Sequence, residues 1–301
     1  MRKIIGICMC AVMLLLTSTV SADTKKNVIY ERPNIRTLSQ LYWRMLKLDP
    51  ADDEAVDNFM MINECDLYRD YYQNEFEWLG IRDAARTFLL ENRKDFPIHF
   101  EFVQPLRFAE YDLETSEFDV WEPYKINSVR RFEVLAEDLF KDVCDKKSKV
   151  IIPNYPKGLL VELNRPFTLD SISVDPEKAR EYIEERIEAA KVTSSNVNSK
   201  KDLYETRSAY LVMRFRVFSY KEEERVRNFG QMAKVLAVLE SYSIYGDRDH
   251  QNVLFAEDFT RKKERSALEV ELKRKYQERL KQKMQEKQNA SEAAQAEESG
   301  N

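Results

Sequence analysis

From Ser208 to Tyr220 the chain alternates as an extended strand does. Leu211, Met213, Phe215 and Val217 share one face, and Arg214 and Arg216 share the other. One buried face commits the chain to a sheet. Val235 to Ile244 supplies a partner strand, and Tyr245-Gly246-Asp247 turns into a further strand over Asn252 to Ala256. Upstream, Phe96 to Trp121 reads as strand, turn and returning strand: Phe100, Phe102 and Leu106 alternate with polar neighbours, and Asp112 to Glu117 has turn chemistry. Val129 to Leu135 alternates again. Lys149 to Ile152 is a short apolar run before a turn at residues 154–158; Leu159 to Leu163 is a strand interrupted by Arg165-Pro166, and Thr168 to Val174 resumes it.

Helical spacing occupies the region before this sheet. Pro33-Asn34 opens a helix with Ile35, Leu38, Leu41, Tyr42 and Met45 on one side, ended by Asp49-Pro50. A second starts at Asp52 or Asp53 and carries Val56, Phe59, Met60, Asn63, Leu67 and Tyr71; a third follows Asn74 and stops before Pro97. Asp175-Pro176 begins a short helix that covers the sheet, with Tyr182, Ile183 and Ile187 inward. The expected fold is α+β: a helical region over residues 23–95 packed on an antiparallel, sandwich-like β region over 96–260. That region includes the covering helix near 176–191 and a flexible loop near 193–202. Residues 25–32 read as an unpacked leader.

The ends differ from this body. Arg2 and Lys3, an apolar run from Ile4 to Leu16, and small residues up to Ala22 have the order of a secretory signal peptide over residues 1–22. Cys8 and Cys10 lie inside the apolar run, so a lipoprotein signal is not formed. Loss of Arg2 and Lys3 takes the formal charge from −5 to −7. Residues 261–287 hold eleven basic and five acidic side chains, +6, and three glutamates follow, which leaves −10 on the body. Residues 261–288 read as an extended basic helix in which Leu268, Leu272, Tyr276, Leu280 and Met284 recur every four residues. That stripe drifts by about 40° per step, so it cannot fill one straight groove. A disordered tail is expected over 289–301.

Several chemistries find no support. Beyond the signal segment the glycines are Gly80, Gly158, Gly230, Gly246 and Gly300, too scattered for a phosphate-binding loop or a nucleophile elbow. His99 and His250 are the histidines, and they form no zinc motif. His99 reads as a strand residue. In GDRDHQN, Asp247 and Asp249 have the spacing of a calcium loop, but Asn252 stands where glycine is needed and Asp258 where glutamate is, so a solvated turn is expected. Glu64 with Asp66 and Glu75 with Glu77 are carboxylate pairs to which no catalytic role is assigned. Trp43, Tyr68, Tyr71, Tyr72, Phe76 and Trp78 read as core at helical spacing, with a ligand platform as the alternative. Cys65 and Cys144 remain after export; one disulfide between them and two buried thiols are both open readings.

LYWRM at Leu41 to Met45, NECDLY at Asn63 to Tyr68, FEW at Phe76 to Trp78, FEFVQP at Phe100 to Pro105 and RRFEV at Arg130 to Val134 together resemble a family of uncharacterised bacterial exported proteins. The resemblance spans about Tyr30 to Phe259. It implies an exported, periplasmic or secreted setting and brings no catalytic or binding residues. The expected function is non-enzymatic, through protein–protein contacts in an envelope or secretion assembly, without cofactor, metal or nucleic acid. The stripe Leu268, Leu272, Tyr276, Leu280 and Met284 is the candidate partner-binding helix, with membrane-surface contact a weaker use of it. A small-molecule or glycan-binding module is the alternative, and a carboxylate-dependent hydrolase the third.

Overall fold

The computed structural model describes residues 28–139, 141, 143, 144, 157–192, 199–227, 229–260 and 274. The signal segment, residues 145–156, most of the expected loop at 193–202 and the basic stripe at residues 268–284 lie outside the described residues, Arg274 excepted. The helical region consists of α1 (Ile35–Arg44), α2 (Asp53–Asn63), α3 (Cys65–Tyr71) and α4 (Glu75–Asn92). Asn34 starts α1 with a capping box: its side chain accepts from Thr37 N at 2.9 Å, and its own N–H donates to Thr37 Oγ1 at 3.0 Å. Asp52 caps α2 and Asn74 caps α4. The expected second helix divides at Glu64, whose φ of −131° and ψ of 56° leave the helical region. The chain is thereby redirected at Cys65.

The strands are β1 (His99–Asp112), β2 (Glu117–Val120), β3 (Ile126–Leu135), β4 (Gly158–Leu169), β5 (Ser171–Ser173), β6 (Ser208–Val226), β7 (Gly230–Tyr245) and β8 (Val253–Asp258). They run in the order β3-β4-β7-β6-β1-β2-β5, with β8 also paired to β7. Two features differ from the expected antiparallel sandwich. β4 and β7 are parallel, Leu159 opposite Ala233 through Leu163 opposite Ala237. The strands also form one continuous sheet, which curls until Phe132 of β3 meets Phe102 of β1 at 5.7 Å and Phe215 of β6 at 5.8 Å between ring centroids. Curling lets one sheet bury its own inner face. The apolar run of β4 fits this, since Leu159, Leu160 and Val161 are all buried, as in strands covered on both faces.

Arg165-Pro166 does not end β4. Between Val129 opposite Phe167 and Arg131 opposite Glu162, β3 advances two residues while β4 uses five, so the proline sits in a bulge of a continuing strand. After β5, helix α5 (Pro176–Val192) lays the fully buried Tyr182 edge-on against Phe108 and Phe118, and its hydroxyl donates to Ser208 O at 2.9 Å. The end of the expected loop is instead helix α6 (Lys200–Thr206), capped by Ser199. Residues 28–32 are not loose either. Glu31 bridges β1 through Glu31 N to His99 O at 3.0 Å and Glu101 N to Glu31 O at 2.9 Å.

One apolar core joins the two regions, from Leu38, Trp43 and Phe59 through Phe100 and Phe215 to Val235. A disulfide between Cys65 and Cys144, Cα atoms 5.2 Å apart, ties α3 to the segment after β3. Lys47 adds a cation over the Tyr220 ring at 4.1 Å. No helix among the described residues is long and apolar enough to cross a membrane.

The disulfide closes a loop with a sequence separation of 79. Replacing both cysteines by serine should cost about 4 kcal/mol on chain-entropy grounds, seen as a lower denaturant midpoint in equilibrium unfolding. Two glycines should respond in opposite directions. A Cβ at Gly158 would collide with Val134 O, so Gly158→Ala should destabilise by about 1–3 kcal/mol. Gly80 has open space at that position inside α4, and Gly80→Ala should stabilise by about 0.5–1 kcal/mol in the same assay.

Candidate functional site: an aromatic corner of the helical region

Where α3 meets α4, the apolar residues of the two helices divide between an inner and an outer layer. Tyr68 and Trp78 point inward and are buried. Tyr72 stacks on Tyr68 at 4.4 Å and meets Trp78 edge-on at 5.3 Å. The indole N–H of Trp78 donates to Asp57 Oδ1 at 2.9 Å. Arg82 grips both oxygens of the same carboxylate, each at 2.7 Å, and reaches Asp53 at 2.9 Å. Hydrogen bonding to Asp57 raises the guanidinium pKa above its ordinary value, so this clamp stays charged. Arg86 extends it to Asp53, Asp83 and Pro50 O. With the disulfide at the start of α3, the corner is held from below by a covalent bond and an ion-pair network.

The outer layer is apolar and open. Phe76 is 93% exposed and Leu79 58%, and Leu67, Tyr71 and Tyr72 of the preceding helix and its end are exposed as well. Glu64, Asp66, Asp70, Glu75 and Glu77 are exposed in the same stretch, against the single cation Arg69. Exposed apolar side chains interspersed with acidic ones are the result.

The six aromatics read as core therefore split. Trp43, Tyr68 and Trp78 are buried, whereas Tyr71, Tyr72 and Phe76 face outward. The kink at Glu64 accounts for Leu67 and Tyr71, which a continuous helix would have carried toward the face of Val56 and Phe59; Phe76 and Trp78 divide between the two sides of α4. Position and sequence type alone did not mark Phe76; its neighbours Glu75 and Glu77, charged on both sides, are the available signal.

His99 lies on β1 as a strand residue, in a polar cluster on the outer face of the sheet. Tyr30 donates to Glu240 Oε2 at 2.9 Å, Arg216 to Glu240 Oε1 at 2.9 Å, and Arg214 to Glu101 at 2.8 Å. His99 Nε2 is 3.7 Å from Glu240, too far for a good hydrogen bond. Burial pushes the His99 imidazole below its ordinary pKa; Glu240 opposes the shift, and Arg216 and Arg44 add to it. Burial, with Glu240 as acceptor, pushes the Tyr30 phenol well above its usual range. Glu240 is thus engaged by a phenol and a guanidinium, which is structural ion pairing across a sheet. Likewise Glu162 meets Lys221 at 3.1 Å.

His250 occupies a left-handed turn position, φ 58°, and stacks on Tyr245 at 4.9 Å. Asp247 spends its oxygens on the backbone N–H groups of Gln251 and Asn252, closing the turn on itself. The structure brings Cys65 and Cys144 together. Leu268, Leu272, Tyr276, Leu280 and Met284 lie outside the described residues.

Comparison with curated proteins and with solved structures finds no match. Residues 52–185, under half of the chain, match the model of a family described as Domain of unknown function (DUF4852). The matched span runs from α2 into α5 and so contains the aromatic corner, the disulfide and strands β1 to β5; over that span the chain is similar to an uncharacterised family.

Proposed function

We propose that this protein is an exported, non-enzymatic component of an envelope or secretion assembly that works through protein–protein contacts, with the α3–α4 corner as its contact surface. The observation that carries the reading is Phe76, almost fully exposed on a base that is cross-linked and ion-paired. Water around such a surface is released when a partner covers it, and a rigid base lowers the entropy lost on binding. A disulfide in that base suits an oxidising compartment and supports reading residues 1–22 as an export signal.

The occupant is the basic segment 261–288 of a second copy. Its +6 charge over residues 261–287 complements Asp66, Asp70, Glu75 and Glu77. Two successive members of its stripe, such as Leu268 and Leu272, would seat beside Phe76 and Leu79 as helix-in-groove anchors. The drift of the stripe is no obstacle, because the corner is short.

Sedimentation equilibrium of the chain from residue 23 onward tests this. Self-association should weaken at high salt, and Phe76→Ser with Leu79→Ser should weaken it by about thirtyfold, the scale of an interfacial hot spot. Deleting residues 261–301 should have the same effect. A chain that stays monomeric at all concentrations, or one whose association ignores both changes, overturns the proposal.

A further inference from the structure

A second site lies inside the curl of the sheet, independent of the corner. A cavity of about 260 Å³ opens between β3, β4 and β6, walled by Phe132, Leu163, Phe167 and Met213, with Lys125 and Gln104 also in its lining. The bulge in β4 borders it: Leu163 begins the stretch without a β3 partner and Phe167 follows it, paired with Val129. Opposite, Ser128 is held at φ 53°, a left-handed conformation that a serine rarely adopts. Both strands therefore depart from regular pairing at the place where the cavity opens, a pattern concentrated at binding sites.

The lining specifies a ligand class. Four large apolar side chains favour a ligand with an apolar body. Lys125 is the one cationic group among the lining residues, and it is held by Glu122 at 3.0 Å. Glu122 is 76% exposed and can turn to water when another anion arrives. We infer that the cavity of the curled sheet binds a small apolar carboxylate of medium chain length, its tail against Phe132, Phe167, Leu163 and Met213 and its carboxylate on Lys125.

Isothermal titration of the chain from residue 23 onward with a series from butanoate to decanoate tests the inference. Affinity should rise about fourfold per added methylene and level off once the cavity is full. Met213→Trp, which fills the space, should abolish octanoate binding. Lys125→Gln, which keeps the length of the side chain and removes its charge, should weaken octanoate by about tenfold while leaving 1-octanol unchanged. Absence of saturable octanoate binding up to roughly 10 mM overturns the site, since so small a ligand has little efficiency beyond that. Affinity indifferent to chain length, or equal effects of Lys125→Gln on octanoate and 1-octanol, overturns it as well.

Discussion

The ladder between β1 and β6 is the constraint on which the rest of the molecule depends. Nine consecutive pairs, from His99 opposite Arg216 to Arg107 opposite Ser208, put Phe100 against Phe215 on the inner face and Glu101 against Arg214 on the outer one. A slip of one residue would exchange those faces, burying Arg214 and exposing Phe215. Past Arg107, β1 leaves β6 and pairs with β2, so one strand serves both the large curl and the small flap that α5 covers. The helices reach the sheet through the same strand, with Phe59 stacked on Phe96 just before it and Glu31 bonded along it.

Much of this ladder could be read from residue type. The alternation in β6 and at the start of β1 is strict because each strand has one inner and one outer face, and period-two patterning reports that directly. What escaped were long-range relations. The parallel pairing of β4 with β7 leaves no local mark beyond a run of apolar residues, which a strand covered on both faces would show in any sheet. Helix α6 is too short for periodicity to register, and the clasp at Glu31 is made by backbone groups that every residue carries. The bulge beside the cavity is a register offset between β3 and β4, a property of neither strand alone.

The corner was partly legible for a different reason. Helical spacing places aromatics near one another, but where Leu67 and Tyr71 face depends on the break at Glu64, a matter of two dihedral angles. The cysteines could be seen as a pair, and only their position in space decides between bridge and free thiols. On the outer face of the sheet, Tyr30, Glu240, Arg216 and His99 come from four separate stretches of the chain, so no motif could announce them.

The sequence distance across the β1–β6 ladder has a consequence for biogenesis. About a hundred residues separate Arg107 from Ser208, and at ~5–20 residues per second of synthesis β1 waits roughly 5–20 s for its partner. During that interval one edge of an aromatic strand has nothing to pair with, the condition under which nascent strands find one another instead. Glu31, made earlier, already lies along the opposite edge. Glu101 and Arg107 place charge at intervals along the strand, which hinders premature pairing of β1 until β6 arrives.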